Sequence, residues 1–291
     1  MQQEWPSPAK LNLFLYITGQ RTDGYHNLQT LFQFIDYCDY LNFEPRQDQV
    51  VFLKTEFNDV KHDDNLIIKA ANLLINYVKR QYPNFIVPYG VTISIDKKLP
   101  MGGGLGGGSS NAATTLVALN HLWQLQLSKE QLMSIGSKIG ADVPIFIFGH
   151  SAFAQGVGDD LVAIDVPEKW YLVIKPDVNI ATAKIFTTPT LKRDTVTRTI
   201  SELLELPFAN DCENTVRELY PEIDHLISLM ASQAPTRLTG TGSCIFCECD
   251  SEQHAHSLQL FLQQQYDSAA KITSFIAQGI NCSPLSKTVN H

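Results

Sequence analysis

No stretch of this chain is apolar for long enough to cross a membrane. None is basic enough to track a nucleic-acid backbone either. Lysine and arginine number 22 against 30 acidic residues, the net charge is −8, and no basic run exceeds a pair such as Lys79-Arg80 or Lys97-Lys98. A general phosphate-backbone binder carries a basic stripe, so neither nucleic acid nor membrane is an expected partner. Cysteine is sparse, at 6 in 291 residues, and forms no disulfide framework. Cys244-x-x-Cys247-x-Cys249 has no second Cys-x-x-Cys pair beside it, and on a strand Cys244 and Cys247 face opposite sides, so no zinc site is expected. The first residues, Met1 to Pro6, offer neither a basic nor an apolar leader segment. These absences predict a reducing cytoplasm. The missing Gly-x-Ser-x-Gly elbow removes the common serine-hydrolase reading.

What the chain has in excess is glycine at one place. Pro100-Met101 leads into Gly102, Gly103, Gly104, Leu105, Gly106, Gly107 and Gly108, so 6 of the 7 positions from 102 to 108 are glycine. Ser109-Ser110-Asn111 follows, and then Ala112, Ala113, Leu116, Val117, Leu119, Leu122 and Trp123 recur at helical spacing. Val91 to Ile95 alternates as a strand just before the run. A glycine loop between strand and helix presents bare N–H groups, hydroxyls and the positive end of a helix dipole to an anion, and so predicts phosphate binding. A Walker loop needs a lysine where Gly108 stands. A dinucleotide fingerprint needs an acid at the end of a second strand, whereas Glu130 falls in a predicted helix. The Asp-Phe-Gly and His-Arg-Asp motifs of protein kinases are absent.

The rest reads as mixed strand and helix without βαβ alternation, hence α+β. Strands are expected at 11–18, 31–43, 50–55, 91–95, 170–174, 244–249 and 272–277, with a strand pair at 151–163 about Gly156-Val157-Gly158-Asp159. Helices are expected at 64–82, from Ser128 (a capping box with Gln131) to Gly140, and at 199–206, 211–219, 222–233 and 251–265. A composition shift at Asp165-Val166-Pro167-Glu168 predicts two domains, 1–163 and 164–291.

The loop Pro100…Gly104-Leu105-Gly106…Ser109-Ser110-Asn111-Ala112 resembles the nucleotide loop of the GHMP kinases, which phosphorylate small-molecule hydroxyls with ATP. Further segments in the same order resemble one branch of that family, whose acceptor carries a cytidine diphosphate handle. They are Pro8-Ala9-Lys10-Leu11-Asn12, Arg21-Thr22-Asp23-Gly24-Tyr25-His26, Gly140-Ala141-Asp142-Val143-Pro144 and Thr239-Gly240-Thr241-Gly242-Ser243. The resemblance spans residues 4–286. It implies a ribosomal S5 domain 2-like N-terminal domain and a ferredoxin-like C-terminal domain. It also implies ATP and Mg²⁺ with the metal ligands open, a cytidylyl acceptor, and a monomer or homodimer.

The resemblance further implies roles. Asp142 would be the base that takes the hydroxyl proton, and Lys10 its cationic partner. Residues 100–110 and Asn65 would hold ATP. Tyr25 and Phe186 would stack on cytosine, His26 would read its edge, and Asn12 and Thr182 would lie near the acceptor. Each residue also has a plain structural reading. Asp142 before Val143-Pro144 suits a helix N-cap, Asn65 after Asp64 suits another, a lone lysine is usually solvated, and Tyr25 and Phe186 could be core.

Overall fold

A computed structural model describes residues 3–57, 60–266 and 272–289. Met1 and Gln2, part of the segment read as lacking a leader, lie outside them. The chain opens with two long strands, β1 (Trp5–Gln20) and β2 (His26–Arg46), paired antiparallel along their length. After β3 (Val51–Leu53) come α1 (Leu66–Gln81), β4 (Gly90–Asp96), α2 (Gly107–Leu122), α3 (Lys129–Gly136), α4 (Val143–Phe148) and the hairpin β5 (Ala152–Gln155) and β6 (Asp160–Ala163). The second half runs β7 (Trp170–Lys175), α5 (Thr182–Thr187), α6 (Ile200–Leu204), α7 (Glu213–Leu219), α8 (Pro221–Ala231), β8 (Thr236–Leu238), β9 (Ile245–Cys249), α9 (Glu252–Gln265), β10 (Thr273–Ile280) and α10 (Pro284–Val289).

β2 organises the molecule. One edge holds β1; the other pairs in turn with β5 at Thr30–Phe32, β10 at Phe34–Ile35 and β4 at Tyr40–Arg46. β10 then leads to β7, β9 and β8. The N-terminal helices pack over one core that includes Trp5, Phe34, Ile93, Leu116 and Phe146. Helices α7–α9 cover a second, with Leu172, Ile223, Met230 and Cys247. A third core lies between, from Leu11, Phe14, Tyr171 and Phe246.

Several expectations shift at their edges for identifiable reasons. The helix after the glycine loop starts at Gly107, not near Asn111, so Gly107 to Ser110 form its first turn. α2 is buried nearly all round, from Ser110 to Thr115 and on to Leu119, which small side chains allow. The Ser128–Gln131 capping box is present, but α3 ends at Gly136, before the expected Gly140. α5, β8 and α10 are additional, and α4 was signalled only by the N-cap reading of Asp142; the three helices among these are six residues each, too short to show a period.

Candidate active site

The site is built on the free edge of β1. Register shifts at Pro8/Ala9 and Asn12/Phe14 bracket a short regular stretch, within which Lys10 and Asn12 share a face. That edge is covered by loops, which removes an unpaired row of backbone groups. Lys10 N–H donates to Leu105 O (3.1 Å), Asn12 N–H to Thr239 Oγ1 (3.0 Å) and Leu15 N–H to Ala209 O (3.0 Å). The glycine loop and the Thr239–Gly242 turn are thereby brought to the same place from opposite halves of the chain.

Lys10 is not solvated: it is 2% exposed. Its Nζ donates to Asn12 Oδ1 (2.6 Å) and Gly104 O (3.0 Å), lies 3.4 Å from Asp142 Oδ2, and stands over the Phe32 ring at 5.3 Å. Asn12 is the lysine's holder, since its amide nitrogen donates to Thr30 Oγ1 (2.9 Å) and Thr30 in turn donates to Phe14 O (2.6 Å). Asp142 precedes α4 in sequence but does not cap it. Its backbone is αR (φ −85°, ψ −7°) and its side chain makes no capping bond, whereas a capping residue is normally extended. Its side chain is 38% exposed, with the carboxylate turned to Lys10.

Two cavities meet at this pair. The larger, about 870 Å³, is lined by Lys10, Asn12, Tyr25, His26, Thr182, Phe186 and Arg193 among others. The smaller, about 430 Å³, is lined by Asn65, Lys97 and the run from Pro100 to Ser109. Gly104, Ser109 and Asp142 border both. The loop's shape depends on glycine in two ways. Gly104 (φ +76°) and Gly106 (φ +75°) are left-handed. A Cβ on Gly104 would also strike the Thr239 carbonyl, and one on Gly106 would come within 2.6 Å of Phe146.

Most residues singled out in the sequence converge here. Ser110 does not: it is fully buried, and its hydroxyl accepts a hydrogen bond from Ser7 (2.9 Å), so Ser109 is the serine facing the cavities. Asn65 caps α1 through Oδ1, accepting from Ile67 N–H (3.0 Å), which leaves its amide nitrogen for the smaller cavity. Thr182 and Thr241 hydroxyls meet at 3.0 Å, closing the larger cavity between α5 and the Thr-Gly turn. Tyr25 stands 63% exposed at the rim. His26 is buried, its ring 5.0 Å from Phe186. Burial, then the charge of Arg193, holds the His26 imidazole below the usual histidine range.

Sequence reasoning missed a support under the loop. Asp39 is wholly buried, and its carboxylate accepts from Lys97 Nζ (2.6 Å), Lys98 N–H (2.8 Å), Leu99 N–H (2.8 Å) and Asn111 Nδ2 (2.9 Å). It anchors α2 to the strand end and sets Lys97 against the smaller cavity. Nothing local marked it, since β2 also carries Asp36 and Glu44. Cys244 and Cys247 sit in different cores, with burial pushing both thiols up to about 12. Cys244 pins the loop, its N–H donating to Gly103 O (3.1 Å). Among the described residues no three His, Cys, Asp or Glu side chains cluster as a metal site, and no helix is long and apolar enough to cross a membrane.

Family models match in both halves: the GHMP kinases N terminal domain at residues 65–150 and the GHMP kinases C terminal domain at 193–268. A crystal structure of 4-(cytidine 5'-diphospho)-2C-methyl-D-erythritol kinase is 28% identical, covering 96% of this chain and 100% of its own, with a TM-score of 0.79. The Methanococcus jannaschii mevalonate kinase (16% identity, 97% and 99% covered, TM-score 0.71) and a homoserine kinase from Cytophaga hutchinsonii (15%, 96% and 94%, TM-score 0.70) share the fold. With both domain models matched and the two-domain α+β architecture in place, the chain belongs to the GHMP kinase family and is a small-molecule kinase.

Proposed function

We propose that this kinase transfers the γ-phosphoryl group of ATP to the 2-hydroxyl of 4-(cytidine 5'-diphospho)-2C-methyl-D-erythritol, a step toward isoprenoid precursors by the non-mevalonate route. The observation that carries the reading is the Lys10–Asp142 pair at the meeting of two cavities, one walled by the glycine loop and the other ending at Tyr25, His26 and Phe186. A donor with phosphates suits the first wall, and an acceptor ending in a flat base suits the second. The likeness to the cytidylyl kinase structure supports the same acceptor.

In this reading the loop's N–H groups and the start of α2 hold the triphosphate. The acceptor hydroxyl lies between Asp142 and the γ-phosphate. Asp142 takes its proton as the new P–O bond forms and the bond to ADP breaks. Lys10, held by Asn12 and the Gly104 carbonyl, faces the developing charge without reorganising. Tyr25 and Phe186 sandwich the cytosine, and Asn12 and Thr182 border the rest of the acceptor. Ser109 and Asp142, whose oxygens border both cavities, would hold Mg²⁺ together with the phosphates, and the ion would supply charge neutralisation there. The chain divides near 163/164, with α10 returning to the first half through Leu285. The partners are small molecules, and the compartment is the cytoplasm.

The test is a coupled ADP-release assay offering the cytidylyl acceptor, mevalonate and homoserine in parallel. Turnover of the first alone is expected. Turnover of either alternative without the first would replace the acceptor.

A further inference from the structure

Arg193 lies on the irregular segment after α5, yet it is bonded on every side but one. Nη1 donates to Leu191 O (2.9 Å), and Nη2 donates to Phe186 O (2.8 Å) and Thr188 O (2.8 Å). Its Nε–H donates to His26 Nε2 (3.1 Å), 167 residues away in sequence. The guanidinium thus ties the C-terminal end of α5, which carries Phe186, to the first residue of β2.

The last bond has a chemical consequence. An arginine Nε–H can only donate, so His26 Nε2 must accept with a bare lone pair. A neutral imidazole that accepts at Nε2 carries its proton on Nδ1. A second proton on Nε2 would face the Arg193 N–H head-on. Among the described residues no protein partner meets Nδ1 and no buried side-chain nitrogen lacks one, so Nδ1 opens on the larger cavity that His26 lines. Into that cavity His26 can therefore donate but not accept.

We propose that Arg193 is a positioning residue that locks His26 as an Nδ1–H donor and thereby makes the larger cavity prefer a base with an acceptor at ring position 3. Cytosine offers N3 and O2 as adjacent acceptors, whereas uracil carries a proton on N3. A fixed donor beside position 3 is satisfied by the first and opposed by the second. This rests on the cytidylyl reading above.

Two measurements test it on the full chain. The first is the ¹⁵N spectrum of histidine ring nitrogens without nucleotide, with His26 assigned by its loss in His26→Gln. Wild type should show protonated Nδ1 and bare Nε2. Arg193→Ala should release the ring to a tautomer mixture, and Arg193→Lys, which keeps a donor, should restore the wild-type form. The second is calorimetric binding of cytidine 5′-diphosphate and uridine 5′-diphosphate. Wild type should prefer the cytidine form by about tenfold or more, and Arg193→Ala should lose about tenfold of that preference, the worth of one hydrogen bond. The loss should fall on the acceptor KM and not on the KM for ATP. Protonated Nε2 in wild type, or an Arg193→Ala chain that keeps both tautomer and preference, overturns the proposal. A chain with the expected tautomer that binds neither diphosphate overturns the cytidylyl reading instead, and the base preference with it.

Discussion

Lys10→Met separates the catalytic reading of the buried cation from a merely structural one. Unit charges 3.4 Å apart attract by about 5 kcal/mol at an effective dielectric near 20. Water at the 38%-exposed Asp142 side chain screens part of this. For the fold, methionine keeps the stem volume but leaves Asn12 Oδ1 without the donor that now meets it and Gly104 O with only the longer bond from Thr239 Oγ1 (3.4 Å). Unpaired buried acceptors cost about 1–3 kcal/mol each, and release from dehydrating an ammonium offsets some of it; a net loss of about 1–2 kcal/mol in urea unfolding is expected. For the reaction, removing a preorganised charged donor costs about 3–4 kcal/mol, or about 100- to 1,000-fold in kcat. The KM for ATP should hold within about threefold, because the loop's backbone does that work. Asp142→Asn should lower kcat similarly. If the two groups act on one event, the double variant should lose little more than either single one. ADP release at saturating substrates reads all three. A Lys10→Met enzyme with kcat within about threefold of wild type, or losses that multiply in the double variant, would refute the assignment.

Four further outcomes are expected. Gly104→Ala should cost fold stability by about 2 kcal/mol or more, read by denaturant titration, since φ is positive and the Cβ meets the Thr239 carbonyl. Gly108→Ala should leave stability equal or higher by up to about 1 kcal/mol and instead raise the KM for ATP. The reverse pattern would refute the loop's role. Asp39→Ala should destabilise by about 3–5 kcal/mol, because it strands Lys97 and several donors in a buried place; a loss under about 1 kcal/mol would show that the network is dispensable. His26 is held below its ordinary range of about 6.5, so between the two values the unfolded chain binds the proton and the folded chain does not. Stability is then full above about 6.5 and declines as pH falls below it, and His26→Gln should flatten that slope in urea titrations. An unchanged slope would place the acid sensitivity elsewhere.

What could be read from the sequence was what local periodicity and turn chemistry encode. The alternation of 91–95, the capping box at Ser128 and the glycine loop's strand–loop–helix setting reappear as β4, α3 and the wall of the smaller cavity. α5 was not legible, and α4 only through the N-cap reading of Asp142 with Pro144, because six residues give a helix no period to show. The residues that matter most to the chemistry were ambiguous for a related reason. Asp142 before Val143-Pro144 fits an N-cap as well as it fits a base, and only its αR backbone and uncapped carboxylate remove the first reading. Lys10 looks like any lysine until β1 buries it against Asn12. Asp39 and Lys97 meet across 58 residues, and Arg193 meets His26 across 167. Such pairings depend on how β2 gathers β1, β4, β5 and β10 along its edges, and no pattern within a single segment carries that. The glycine loop shows the division most clearly. Its composition predicts an anion cradle, but it contains no cation or acid. The charges come from Lys10, Lys97 and Asp142, in three separate parts of the chain, and two of the loop's own glycines are required less by a ligand than by Thr239 and Phe146 pressing from behind. A phosphate loop of this kind is therefore specified twice, locally by its glycines and globally by what packs against them. A substitution can fail on the second count while satisfying the first.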